Sequence, residues 1–169
     1  MTSASPARRR LGTANPYEER YGYSRALRTG DRVLVSGCTS LVDGQVRHPG
    51  DAAAQARVAL DTAVSSVVAL GGGAADVVLT RIYVVDRAHC DAVGLAHGEL
   101  FAAVRPVATM VVVAGLVDEQ MLVEVELEAR IGTGTPFGRS VTSPSRSATP
   151  PSRPATPPGR PATPPGRPV

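Results

Sequence analysis

Residues 51–85 read DAAAQARVALDTAVSSVVALGGGAADVVLTRIYVV, and the fold follows from how this stretch changes its period. Asp51 is a helix-capping type, because its short carboxylate can accept from the first free backbone N–H groups. Behind it Ala56, Leu60, Ala63, Val64, Val67 and Leu70 recur at three- and four-residue steps, which predicts a helix to about Leu70. Gly71-Gly72-Gly73 stops that helix. Val77–Val85 is then a nearly unbroken run of β-formers, the pattern of a strand with neighbours on both sides.

Working outward, Tyr23–Arg28 and Arg32–Ser36 are short β runs around Thr29-Gly30-Asp31, a hairpin signal. Thr39–Gly50 reads as a loop. On the other side a second helix is expected from about Ala88 to Ala103, ending before Pro106. Two strands close the domain, Ala108–Ala114 and Leu122–Ile131. The order β-β-α-β-α-β-β defines an α+β domain, a mixed sheet with both helices packed on one face. With no third helix to cover the other face, a homo-oligomer that buries sheet faces together is the natural solution.

Charge divides the chain. Residues 1–14 carry three Arg and no acid, and residues 132–169 carry five Arg and no acid. Residues 15–131 therefore hold 10 Arg against all 15 carboxylates, a net of −5. The basic pI of 9.3 belongs to the ends, so nucleic acid is an unlikely partner of the folded part. We read 1–14 as a flexible segment, 15–131 as the domain and 132–169 as a disordered tail. The tail repeats with period seven in Pro144–Pro150, Pro151–Pro157 and Pro158–Pro164, and its Ser-Pro and Thr-Pro steps (Ser143, Thr149, Thr156, Thr163) are sites a kinase could modify. It offers no Leu, Ile or Phe to bury. Two distant cysteines, Cys38 and Cys90, form no metal or redox spacing, and no apolar run approaches a membrane span. A cytoplasmic protein that does not insert in membranes is expected.

Several segments carry a family resemblance. Tyr23-Ser24-Arg25-Ala26, Val33–Gly37 (VLVSG), Asp76–Val85, Arg105–Met110 (RPVATM) and Met121–Ala129 (MLVEVELEA) resemble, in order and spacing, segments of the RidA/YjgF family. The likeness covers roughly residues 15–131. It implies a chorismate-mutase-like fold, a homotrimer, small-molecule clefts between subunits and no cofactor. Deaminating members hydrolyse enamines and imines, which takes a cation for the substrate carboxylate, a polarised water and a carboxyl group that moves protons. The resemblance puts Glu124 in the place of that carboxyl group. The place of the carboxylate-binding Arg is Ala108, so the chain resembles the Arg-less branches of the family. Losing one charge-assisted hydrogen bond costs about 1.5–3 kcal/mol, roughly tenfold to more than a hundredfold in recognition of an anionic imino acid. Gly94 stands where deaminating members often have Asn, removing another polar contact.

Glu124 alternates with Val123 and Val125 in its strand, as do Glu126 and Glu128, so a solvated row of carboxylates is the simpler alternative. Tyr23, Ser36, Cys38 and Arg25 are the remaining substrate-binding candidates, with Cys38 expected on the strand face of Ser36. Arg105 is expected to be a solvated helix-end residue. His89 and His97 have no third ligand at metal spacing, so no metal is expected. The Gly71–Gly73 run precedes a strand, not a helix bearing Lys, and is not a phosphate loop. Two functions compete: an enamine or imine hydrolase, and a non-catalytic metabolite-binding homotrimer. An endoribonuclease is the remote third.

Overall fold

The computed structural model describes residues 7–13 and 15–132. The repeats of the tail lie outside them. Strands β1 (Arg8–Leu11), β2 (Ala26–Thr29), β3 (Arg32–Cys38), β6 (Val77–Val84), β7 (Val107–Val112) and β8 (Val123–Arg130) form one sheet in the order β1-β2-β3-β8-β6-β7. The β6–β7 pair is parallel and every other pair is antiparallel, which makes the sheet mixed. The first long helix, α2 (Ala52–Ala69), follows α1 (Pro16–Tyr21) in the chain, and α3 (Cys90–Phe101) connects the parallel strands. Val77–Val84 does have neighbours on both sides, β8 and β7.

Three local features go beyond the sequence reading. Residues 1–14 are expected to be flexible, yet Arg8–Leu11 pair with β2 in the register Arg8↔Thr29 to Leu11↔Ala26. Leu11 packs against the core, while three exposed arginines keep this edge strand charged and resistant to further pairing. Asn15-Pro16 starts α1, with the Asn15 side chain accepting from the Tyr17 N–H at 3.0 Å. The expected loop 39–50 contains a small hairpin, β4 (Leu41–Val42) and β5 (Gln45–Val46). Asp43 and Gly44 turn it, both at positive φ (52° and 75°), the conformation that an Asp-Gly pair supplies in a tight two-residue turn.

Asp51 caps α2 by accepting from the Ala54 N–H at 2.9 Å. At its other end Gly71 adopts φ 93°, and a Cβ on Gly72 would stand 2.8 Å from both Ile131 and Val67. The glycines are therefore required by backbone turn and by close packing. Arg28 Nη1 donates to the Leu70 carbonyl at 2.7 Å, satisfying one of the free helix-end groups.

One sheet face is covered. Val123, Val125, Leu127 and Ala129 of β8 point into a core with Leu60, Ala63 and Val67 of α2 and with Val93 and Phe101 of α3. Thr80 is fully buried there and meets His97 Nε2 at 3.0 Å. Gln55, also fully buried, ties α2 to two loops: its Nε2 donates to the His48 and Gln120 carbonyls at 3.1 and 2.8 Å, and its Oε1 accepts from the Leu122 N–H at 2.8 Å. Among the described residues no helix is long and apolar enough to cross a membrane.

Candidate functional site

The open sheet face carries the alternate residues of β8: Glu124, Glu126 and Glu128, each half-buried. Two of the three are neutralised across the sheet. Glu128 accepts from Arg32 at 2.7 Å. Glu126 accepts from the Tyr83 hydroxyl and lies 3.5 Å from Arg81. Glu124, whose Cα partner is Tyr83, has no hydrogen bond or ion pair among the described residues. Burial raises its pKa above the ordinary 4.5, Arg25 opposes that rise, and Glu126 adds to it. The solvated-row alternative therefore describes Glu126 and Glu128 better than Glu124.

Room for Glu124 comes from the opposite strand. The β3–β8 register slips between Val35 and Cys38, so Ser36 and Gly37 together oppose one residue of β8. A Cβ on Gly37 would overlap the Glu124 carboxyl group, 2.7 Å from its Cδ. Only glycine leaves the carboxylate where it lies. Nothing in the chemistry of Gly37 marks it as a site residue; a glycine inside a β run, a common sign of a bulge or a close approach, is the one signal in the sequence.

Arg25 braces the same bulge. Its Nη1 donates to Ser36 Oγ at 3.3 Å and to the Gly37 carbonyl, and lies 3.3 Å from Cys38 Sγ. In return the Ser36 N–H and hydroxyl donate to the Arg25 carbonyl at 2.9 and 3.1 Å. Arg25, Ser36, Gly37 and Glu124 thus form one cluster. Cys38 touches it but is not on the face of Ser36 as alternation would have it. The bulge returns Cys38 to the register of Val35, on the covered face, where it is 1% exposed. Burial raises its thiol pKa despite Arg25, so it is a poor nucleophile.

The other candidates lie apart from this cluster. Tyr23 borders a surface recess with Arg10, Asn15 and Glu19. Ala108 is the register partner of Thr80, so its side chain belongs to the helix-bearing face, whereas Glu124 stands on the open one. Ala108 is exposed at the free edge of the sheet, in β7, beside exposed Val107 and Val112. Gly94 is exposed on α3, with nothing within 4 Å of where a Cβ would be. Arg105 is exposed at φ 53° and its N–H donates to the Phe101 carbonyl, an arginine that ends a helix. His97 is pushed toward its neutral form by burial. Among the described residues no group of three His, Cys, Asp or Glu could hold a metal ion.

Residues 13–131 match the family model described as Endoribonuclease L-PSP. An uncharacterized protein of Streptomyces coelicolor is 43% identical over 128 residues, which cover 76% of this chain and 96% of that one. Among solved structures, Rv2704 of Mycobacterium tuberculosis, a member of the YjgF/YER057c/UK114 family, is 38% identical with a TM-score of 0.67. The match covers 74% of this chain and all of that one. The YjgF gene product of Escherichia coli is 26% identical with a TM-score of 0.61, over 72% of this chain and 93% of that one.

Proposed function

Since this chain belongs to the Endoribonuclease L-PSP family, the family of YjgF, we propose that it is a hydrolase of small enamines and imines whose proton-moving group is Glu124. The observation that carries this reading is the one β8 carboxylate without a partner among the described residues, held over Gly37 with its pKa raised. A carboxyl group whose pKa is lifted toward the working pH can both take and return a proton. An enamine first tautomerises to the imine. Water then adds across the C=N bond: its oxygen bonds to carbon, and Glu124 accepts one of its protons and passes it to nitrogen. Collapse of the carbinolamine breaks the C–N bond, and ammonia leaves with a carbonyl product. No cofactor is needed for this sequence.

The reading includes a homotrimer. In one copy Glu124 and Ala108 stand on opposite faces of the sheet, and β7 offers a free edge with apolar Val107, Val111 and Val112 exposed at 68, 42 and 48%. A second copy laid against that edge brings the two half-sites together and buries apolar surface. Ala108 then contributes shape and no charge. RNA cleavage, which the family's description suggests, is disfavoured because a phosphodiester would meet the Glu124 carboxylate in a domain whose net charge is −5.

The test uses the full chain with freshly generated 2-iminobutanoate and with an uncharged imine, semicarbazide trapping what remains. Turnover that Glu124→Gln reduces a hundredfold or more, in a protein that still folds, supports the hydrolase. Turnover unchanged by Glu124→Gln, or none in the wild type, leaves the metabolite-binding homotrimer as the better account.

A further inference from the structure

Residues 8–13 read RRRLGT, and neither the core nor the Glu124 cluster has a use for the arginines and threonine of this run. Thr13 follows Arg10 by three residues, Arg9 by four and Arg8 by five, with no acid anywhere in residues 1–14. The fold presents the run extended. Arg8–Leu11 is the edge strand β1, its three arginines are exposed, and Thr13 just beyond it is exposed as well. An extended segment with a free edge and solvated guanidinium groups is suited to being read along a partner's surface, by backbone pairing and by charge.

Thr13 is tied to one carboxylate. Its hydroxyl donates to Glu18 Oε1 at 2.7 Å and its N–H to Oε2 at 2.8 Å, and Glu18 is only 9% exposed. These bonds latch the exit of β1 to α1. Thr13 also stands between two recesses, each with its own arginine. One, of about 440 Å³, is lined by Thr13 and Arg25 with Leu11, Asp61 and Thr62. The other, of about 500 Å³, is lined by Thr13 and Arg10 with Glu18, Glu19 and Tyr23. Among the described residues neither arginine lies within ion-pair distance of a carboxylate. Arg25 turns Nη1 to the bulge, while its Nε and Nη2 have no acceptor among the described residues. A new anion on the Thr13 oxygen would be repelled by Glu18 and met by two arginines.

We propose that Thr13 is a phosphorylation site for an arginine-directed protein kinase, and that its phosphate exchanges the Glu18 latch for Arg10 and Arg25. In the transfer the γ-phosphorus of ATP bonds to Thr13 Oγ1 and its bond to the bridging oxygen breaks. ADP leaves, and the hydroxyl proton passes to the kinase's catalytic carboxylate. The hydrogen that Thr13 gave to Glu18 is then gone, and a group of about −1.5 to −2 charges stands beside that carboxylate. Like charges at hydrogen-bond distance repel, so the phosphate turns to the guanidinium groups, where charge-assisted bonds are available. Modification thereby releases α1 from the exit of β1 and ties that exit to the start of β2.

The test incubates the full chain with magnesium, ATP and an arginine-directed serine/threonine kinase of the cyclic-AMP-dependent type, and maps the phosphate by tandem mass spectrometry. Phosphate at Thr13, formed at least tenfold more slowly when Arg8, Arg9 and Arg10 are all replaced by Ala, supports the site. Thr149, Thr156 and Thr163 also follow an arginine by three residues and serve as internal competitors. Phosphate confined to them, no phosphate at all, or a Thr13 rate indifferent to the three arginines overturns the proposal. Phosphorus NMR then reads the exchange, in a chain whose three tail threonines are changed to Ala. The second ionisation of phosphothreonine, ordinarily near pH 6, falls by about one unit beside the arginines. Arg25→Met returns part of that fall in a chain still folded by circular dichroism. A wild-type value at or above about 6 keeps the site and overturns the exchange.

Discussion

The two faces of the sheet solve opposite problems with the same strands. On the covered face β8 presents Val123, Val125, Leu127 and Ala129, all at most 2% exposed, and the buried Thr80 hydroxyl there is paired with His97. On the open face the same strand presents three carboxylates, and one has no partner among the described residues. The difference teaches that order and reactivity are separated by strand parity. With one exception, the buried polar groups that hold the fold are paired, whereas the group read as chemical has no partner among the described residues. Among the covered groups the Ser40 hydroxyl is buried without a hydrogen-bond partner, and nothing around it gives a physical reason.

The largest effect should come from breaking the covered side. Gln55→Ala strands the Leu122 N–H and the carbonyls of His48 and Gln120, a loss of about 2–4 kcal/mol. Thermal unfolding should show a drop in Tm on the order of 10 °C. A shift of a degree or two would mean that water replaces the side chain and that saturation matters less than claimed.

Next comes a change confined to the open side. Gly37→Ala should leave a folded protein, since the atom it crowds is the end of a flexible side chain, but it must push the Glu124 carboxylate away. Imine turnover should fall about tenfold or more, the scale of a misplaced acid–base group, with circular dichroism unchanged. Full activity would remove the bulge from the account.

Proton linkage distinguishes the faces by sign. Burial lowers the pKa of His97 below the ordinary 6.5, so protonation favours the unfolded chain. Its contribution is complete above that ordinary value and is lost as pH falls through the folded-state pKa. Denaturant melts between pH 7 and 5 should therefore show less acid sensitivity in His97→Gln. Glu124 runs the other way. Its raised pKa gives a contribution present below about 4.5 and lost as pH rises through the folded value, so Glu124→Gln should gain slightly in Tm at pH 8 and nothing at pH 4. The smallest effect belongs to Arg32→Ala, which removes an exposed, solvent-screened ion pair to Glu128 and should leave Tm within the error of a thermal melt.

How much of this was legible in the sequence follows from range. Asp51, the helix period and the glycine stop are local signals, and α2 begins and ends where they say. Asn15-Pro16 and Asp43-Gly44 are equally local, and were overshadowed by the polar stretches around them. Arg8–Leu11 gave no local sign, because three arginines look solvated whether or not their backbone pairs. The site was half legible. Alternation put Glu124, Glu126 and Glu128 on one face, but which of them lacks a partner depends on Arg32, Tyr83 and Arg81 from two other strands. Alternation also misplaced Cys38, since one extra residue in a bulge reverses every face assignment after it.

The central claim is that Glu124 is an unpartnered carboxyl group with a raised proton affinity. A carboxyl-carbon NMR titration of the full chain, with Glu124 assigned through Glu124→Gln, measures this directly. The account predicts a midpoint above the ordinary 4.5, falling toward it when Gly37→Ala displaces the side chain into solvent. A wild-type midpoint at or below 4.5 would contradict it.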